Sequence, residues 1–141
     1  QLRLATVRAT CGALIIDDTY NASPESTLAA LNLLSEIEGN KVAVLGDMLE
    51  LGPYEQEGHE IVGVRAAEVA GRLITVGRLG KLIALAALRA GMPASAIESV
   101  DDVSQAVDLL KDTLKADDVV LIKGSHGLRM DRIVASLEAG S

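Results

Sequence analysis

The sequence has no Phe and no Trp, only two Tyr, three Pro and a single Cys in 141 residues. Without large aromatics the core has to be built from Leu, Ile, Val and Ala, a palette that suits helices packed on a sheet. The lone cysteine, Cys11, cannot close an internal disulfide, which excludes a disulfide-stapled scaffold. No apolar run approaches the ~20 residues of a membrane span, and none has the flanks of a signal peptide. Basic residues are also scarce: 13 Lys and Arg against 20 Asp and Glu leave a net charge of -7, which repels nucleic-acid backbones and anionic lipid surfaces. The chain thus reads as cytosolic, with neither nucleic acid nor membrane as a partner. Its length fits one domain, 1–141, burying roughly two thirds of the surface its unfolded chain exposes. It opens at Gln1 inside a strand pattern rather than at a methionine, which suggests a piece of a longer chain.

What is present is strong periodicity. Residues 13–17, 41–46, 72–77, 97–100 and 119–124 are short apolar runs bounded by polar residues or glycine, the pattern of buried strands. Between them lie helical stripes, among them Val103, Ala106, Val107, Leu110 and Leu114, then Met130, Ile133, Val134 and Leu137. Ser23 and Pro24 fit an N-cap followed by proline at the first helical position, and Gly91 with Pro93 closes a helix that begins near Leu79. Residues 2–9 alternate and reach the next strand through Thr10, Cys11 and Gly12, as an antiparallel edge strand in a hairpin would. The expected fold is an α/β, three-layer Rossmann-like domain whose six-stranded, mostly parallel sheet has one antiparallel edge strand.

Ligands of such sheets bind beyond the carboxyl ends of the strands. Four groups sit there: Asp17 and Asp18; Gly46 and Asp47; Gly77; and Lys123, Gly124, Ser125 and His126. Asp18 can accept two hydrogen bonds from a ribose diol, each contributing about 1.5 to 3 kcal/mol. On that reading alanine at Asp18 weakens nucleotide binding and leaves the melting temperature nearly unchanged. The alternative is that one aspartate caps the turn and the other is solvated, with Asn21 a left-handed turn residue. Asp47 and Glu50 either bind an amine or a magnesium-bound water or are solvated, and His59, near the start of the following helix, suits a structural role. The run "IKGSHG" puts Lys123, Ser125 and His126 at the start of the last helix, where N–H groups and the helix dipole favour an anion; its bland alternative is a βα loop. "VGRLGKL" lacks the spacing of a P-loop, so nothing in the chain cradles a triphosphate.

"DDTYNASPES", "VLGDMLELG" followed by His59, and "IKGSHGLRMD", in this order and spacing, resemble the C-terminal domain of the Mur ligases over essentially the whole chain. Within that family the likeness is greatest to the ligase that joins D-alanyl-D-alanine to UDP-N-acetylmuramoyl tripeptide. The resemblance implies ATP-dependent amide formation through an acyl phosphate, with Mg2+ neutralising charge. It also implies that N-terminal and central domains of the same ligase supply the P-loop, the metal ligands and most UDP-sugar contacts, so that this domain alone is inert. By position, Asp18 and Asn21 would bind ATP, and Asp47, Lys123 and Ser125 would line the pocket for the incoming dipeptide. Alanine at Lys123 would then raise the KM for that dipeptide and spare ATP. The family usually carries arginine after Lys-Gly-Ser; His126 stands there instead, so the resemblance leaves His126 or Arg129, one helical turn on, to take the substrate-side contact with a carboxylate. The rival reading is a stand-alone Rossmann-type ligand-binding or regulatory domain.

Overall fold

The computed structural model describes residues 4–140. The order of elements is β1 (Ala5–Arg8), β2 (Leu14–Asp18), α1 (Pro24–Ser35), β3 (Asn40–Gly46), α2 (Glu55–Val69), β4 (Arg72–Val76), α3 (Gly80–Arg89), β5 (Ile97–Val100), α4 (Val103–Thr113), β6 (Asp118–Lys123) and α5 (Asp131–Leu137). One six-stranded sheet has the order β1-β2-β6-β3-β4-β5; only β1 runs antiparallel, pairing with β2 from Ala5 against Asp17 to Arg8 against Leu14. The alternating edge strand expected over 2–9 is therefore present; residues 2 and 3 lie outside the described residues.

The inner strands β2, β6, β3 and β4 are apolar over most of their length because both faces of the sheet are covered there, whereas the edge strands β1 and β5 carry Thr6, Arg8, Glu98 and Ser99. Alternate side chains go to opposite layers. Ile16, Ala43, Leu45, Leu73 and Leu121 pack with Leu31, Leu34, Val62, Ala66 and Ile83 from α1, α2 and α3. On the other face Ile15, Val42, Val44, Ile74, Val120 and Ile122 pack with Ala106, Leu110, Ile133, Val134 and Leu137 from α4 and α5. Small aliphatic side chains suffice here because the helices approach closely.

The tightest of these approaches is between α2 and α3. A Cβ added at Gly63 would lie 2.3 Å from the Ile83 carbonyl oxygen and 2.8 Å from the Ala86 Cβ. Alanine is the better helix former by about 1 kcal/mol, yet overpacking costs about 1 to 3 kcal/mol. The clash is with backbone, which cannot rotate away, so Gly63→Ala is expected to lower the melting temperature by several degrees. A rise in thermal denaturation midpoint would show that the helix pair has room to spare.

Two boundaries move in ways that matter for the site. β2 and β6 begin and end a residue away from their sequence-based limits, so that Asp18 and Lys123 are each the last residue of a strand, and they face each other in register. The last helix begins later than "IKGSHG" implied. After β6 the chain makes a 3-10 turn over His126–Leu128, Arg129 takes a left-handed φ of 57°, and α5 starts only at Asp131. The cause is Met130, fully buried over the ends of β3 and β6: a Cβ on Gly124 would meet its Cγ at 2.7 Å, and one on Gly46 would meet its Sδ at 3.0 Å. The extra turn brings Met130 inward before the helical stripe of α5 can settle on the sheet.

Candidate functional site

The β2–α1 connection starts from a buried ion pair. Lys123 Nζ donates to Asp18 Oδ2 at 2.7 Å and to the Asn21 carbonyl oxygen at 2.9 Å, and the two side chains are 2% and 4% exposed. Strand register fixes both backbone positions, while ordering the long lysine stem still costs side-chain entropy. The loop is then braced locally: Asp17 Oδ1 accepts the Thr19 N–H and hydroxyl at 3.2 and 2.7 Å, and Asn21 Oδ1 accepts the Ala22 N–H at 2.9 Å. Ser23 caps α1 in a reciprocal box with Ser26, with Pro24 at the first helical position, as the sequence predicted.

Asp47 joins the next three loops. Its carbonyl oxygen accepts the Ser125 N–H at 3.0 Å, tying the end of β3 to the end of β6. Its Oδ1 accepts the Gly80 N–H at 2.9 Å, one of the orphan donors of the first turn of α3. The β4–α3 loop closes on this carboxylate so tightly that a Cβ on Gly77, whose φ is +96°, would stand 2.6 Å from Oδ1. Only glycine satisfies both the dihedral and the contact. His59 in α2 anchors the adjacent residue: its Nε2 accepts the Met48 N–H at 3.0 Å.

The structure thus brings Asp18, Asn21 and Lys123 together, and separately links Asp47 to Ser125, all along the carboxyl edge of the sheet. Several expectations need correcting. Lys123 is not at a helix N-terminus and is not free to meet an incoming carboxylate, because Asp18 and Asn21 take its ammonium. Asp18 is sealed rather than open, so its removal is now expected to cost stability instead of sparing it. Asp47 is neither solvated nor free, since it caps α3. Asn21 is not left-handed; among the described non-glycine residues, positive φ occurs at Glu50, which is exposed, and Arg129.

Arg129, a candidate for the carboxylate contact, is engaged with Asp131. Its left-handed backbone turns the guanidinium onto Asp131 in two hydrogen bonds of 3.0 Å, beside a groove of about 560 Å³ lined by Asp101, Asp102, Val107 and Leu128 on the α4 side of the sheet. The hydrogen-bonded guanidinium holds the Asp131 carboxyl below its ordinary range, and the carboxylate in turn raises the arginine. Such a contribution is complete above the usual carboxylate range and is lost as pH falls through the lowered value; at this exposure salt screens it. His126 is exposed at the start of the 3-10 turn.

Sequence reasoning missed that Ser125 Oγ, fully shielded from solvent, has no hydrogen-bond partner among the described residues. A buried orphan hydroxyl is uncommon and marks a place where a polar group from outside the domain could be received. Among the described residues there is no cluster of three or more His, Cys, Asp or Glu side chains able to hold a metal ion. No helix among them is long and apolar enough to cross a membrane.

The family described as "Mur ligase, glutamate ligase domain" matches residues 2–126. The UDP-N-acetylmuramoyl-tripeptide--D-alanyl-D-alanine ligase of Bacillus subtilis (strain 168) is 35% identical over 139 residues, covering 96% of this chain and 30% of that ligase. The crystal structure of a MurF ligase from Thermotoga maritima in complex with ADP superposes with a TM-score of 0.76 at 32% identity, over 92% of this chain and 29% of that one. A crystallised single domain of a putative UDP-N-acetylmuramate:L-alanyl-gamma-D-glutamyl-meso-diaminopimelate ligase from Haemophilus ducreyi, only 16% identical, shares the fold with a TM-score of 0.63, over 95% of this chain and 99% of that one. The chain spans about a third of the length of the ligases it matches, as the domain these enzymes carry at their C-terminal end. By motif, fold and sequence, the chain belongs to the Mur ligase family, as its C-terminal domain.

Proposed function

We propose that this chain is the closing domain of a cytoplasmic, ATP-dependent amide ligase that adds D-alanyl-D-alanine to UDP-N-acetylmuramoyl tripeptide in peptidoglycan precursor synthesis. The observation that carries the reading is the 35% identity to such a ligase over 96% of the chain, motifs included. In the reaction ATP phosphorylates the tripeptide carboxylate, the dipeptide amine attacks the acyl phosphate, and the tetrahedral adduct expels phosphate. The N-terminal and central domains supply the P-loop and the Mg2+ ligands. The chain's own residues divide into two sets. Asp18 and Asn21 form the nucleotide-side wall, and Lys123 joins that set as the counter-ion that holds both in place. Asp47 and Ser125 shape the wall that receives the dipeptide, with His126 the exposed polar side chain beside them.

Ser125 offers a clean test, because its hydroxyl makes no bond within the domain. Deleting an unpartnered hydroxyl costs little stability, so Ser125→Ala should keep or slightly raise the melting temperature. In the ligase carrying this domain the KM for D-alanyl-D-alanine should rise about threefold to tenfold, the loss of one hydrogen bond, with the KM for ATP within about twofold. Steady-state kinetics with each substrate varied separately decide it; an unchanged dipeptide KM removes Ser125 from the pocket. The rival reading of a stand-alone regulatory domain has no observation in its favour that this one lacks.

A further inference from the structure

His59 lies in the second turn of α2, fully buried, with both ring nitrogens engaged. Met48 donates its backbone N–H to Nε2 at 3.0 Å, so Nε2 carries no proton. The ring's proton is then on Nδ1, which donates to the Glu55 carbonyl oxygen at 2.6 Å. The neutral imidazole is therefore a clip with one jaw on the first turn of α2 and the other on the loop after β3. Met48 is held at a second point, its Sδ accepting the Thr27 hydroxyl of α1 at 3.7 Å.

The residue just before Met48 is Asp47, the hub whose carbonyl oxygen receives Ser125 and whose carboxylate receives Gly80. A side chain that only filled this space would be apolar; this one spends both nitrogens on main-chain groups and commits to one tautomer. We propose that His59 is a positioning residue for the incoming-substrate wall. It touches no substrate, but by fixing the Met48 N–H it sets where Asp47 stands, and through Asp47 the height of Ser125. The role in catalysis rests on the reading of that wall as the dipeptide pocket.

Two variants separate the ring's two bonds. His59→Gln can place a carbonyl where Nε2 was and keep an acceptor for Met48. His59→Asn can keep an N–H near Nδ1 but leaves the Met48 N–H unanswered. In the ligase carrying this domain, the Asn variant should raise the KM for D-alanyl-D-alanine about five- to tenfold, as loss of one buried hydrogen bond would. The Gln variant should stay within about twofold of the parent, and ATP should be unaffected in both. If the two variants lose melting temperature alike and neither moves the dipeptide KM, His59 is packing alone and the proposal falls. Nuclear magnetic resonance on the 141-residue chain, whose sheet is covered on both faces and whose fold crystallises as a single domain in the Haemophilus protein, gives an independent arm. At neutral pH the ring should show the Nδ1–H tautomer, and the Asn variant, unlike the Gln variant, should shift the Ser125 and Gly80 amide signals. A ligase that consumes no D-alanyl-D-alanine would count against the functional reading only. The amide signals would then decide for His59, and unmoved Ser125 and Gly80 resonances, or an Nε2–H tautomer, would overturn the clip.

Discussion

Lys123→Ala is expected to destabilise the domain by about 3 to 5 kcal/mol, because it strips the counter-ion from a carboxylate that the fold keeps out of water. For a domain of this size that is a fall of roughly 10 to 17 °C in melting temperature. Asp18→Ala should act in the same direction, leaving a buried ammonium with only the Asn21 carbonyl for company. The two losses should not add: replacing both residues, Lys123→Met with Asp18→Leu, should recover most of the stability, since an apolar pair of similar volume avoids the desolvation of either ion. Denaturation of the two single variants and the double variant forms the cycle. Single variants that lose less than about 1 kcal/mol would mean that the pair behaves as a solvated surface bridge. The kinetic expectation moves with the geometry: the ammonium braces Asp18 and Asn21, so a Lys123 variant assayed well below its melting temperature should affect the KM for ATP at least as strongly as that for the dipeptide.

The second large effect is an absence of activity. The 141-residue chain, pure and folded, should release no phosphate from ATP in response to tripeptide and dipeptide together. On the proposed reading its edge contributes two walls of a site while other domains hold the phosphates, and positioning of reactants alone can supply about 7 to 11 kcal/mol of a barrier. Losing that amount slows a reaction by five orders of magnitude or more, far below the detection limit of a coupled assay. Phosphate release that needs both substrates, seen with the chain alone, would require a phosphate-binding element other than a P-loop and would contradict the reading.

Much of this fold could be read from period and punctuation. Strands came from runs such as Lys41 to Gly46, the α1 start from Ser23 and Pro24, and the α4 and α5 stripes from spacings of three and four. Each of those signals is local. What could not be read depends on which strands become neighbours. Asp18 and Lys123 are 105 positions apart and pair only because β6 inserts between β2 and β3. No periodicity encodes that order, so each residue looked available for a ligand. The late start of α5 escaped for a similar reason, since it follows from Met130 seating over Gly46 and Gly124, a contact between distant segments. The Arg129–Asp131 pair shows the cost of assuming a helix there. Residues two apart do not face each other on a helix, and they meet here because Arg129 is left-handed. His59 was legible as structural, but not as the anchor of Met48, because its acceptor role becomes visible only once the β3–α2 loop has a position.

The most direct test of the central claim is phosphate release by the ligase carrying this domain, measured with each reactant omitted in turn and with the amine donor exchanged. The account predicts turnover only when ATP, UDP-N-acetylmuramoyl tripeptide and D-alanyl-D-alanine are all present, and none when a single amino acid such as D-glutamate or D-alanine replaces the dipeptide. Turnover with a single amino acid on a shorter UDP-sugar peptide would place the domain in a different ligase of the family, and the proposed dipeptide wall at Asp47 and Ser125 would be wrong.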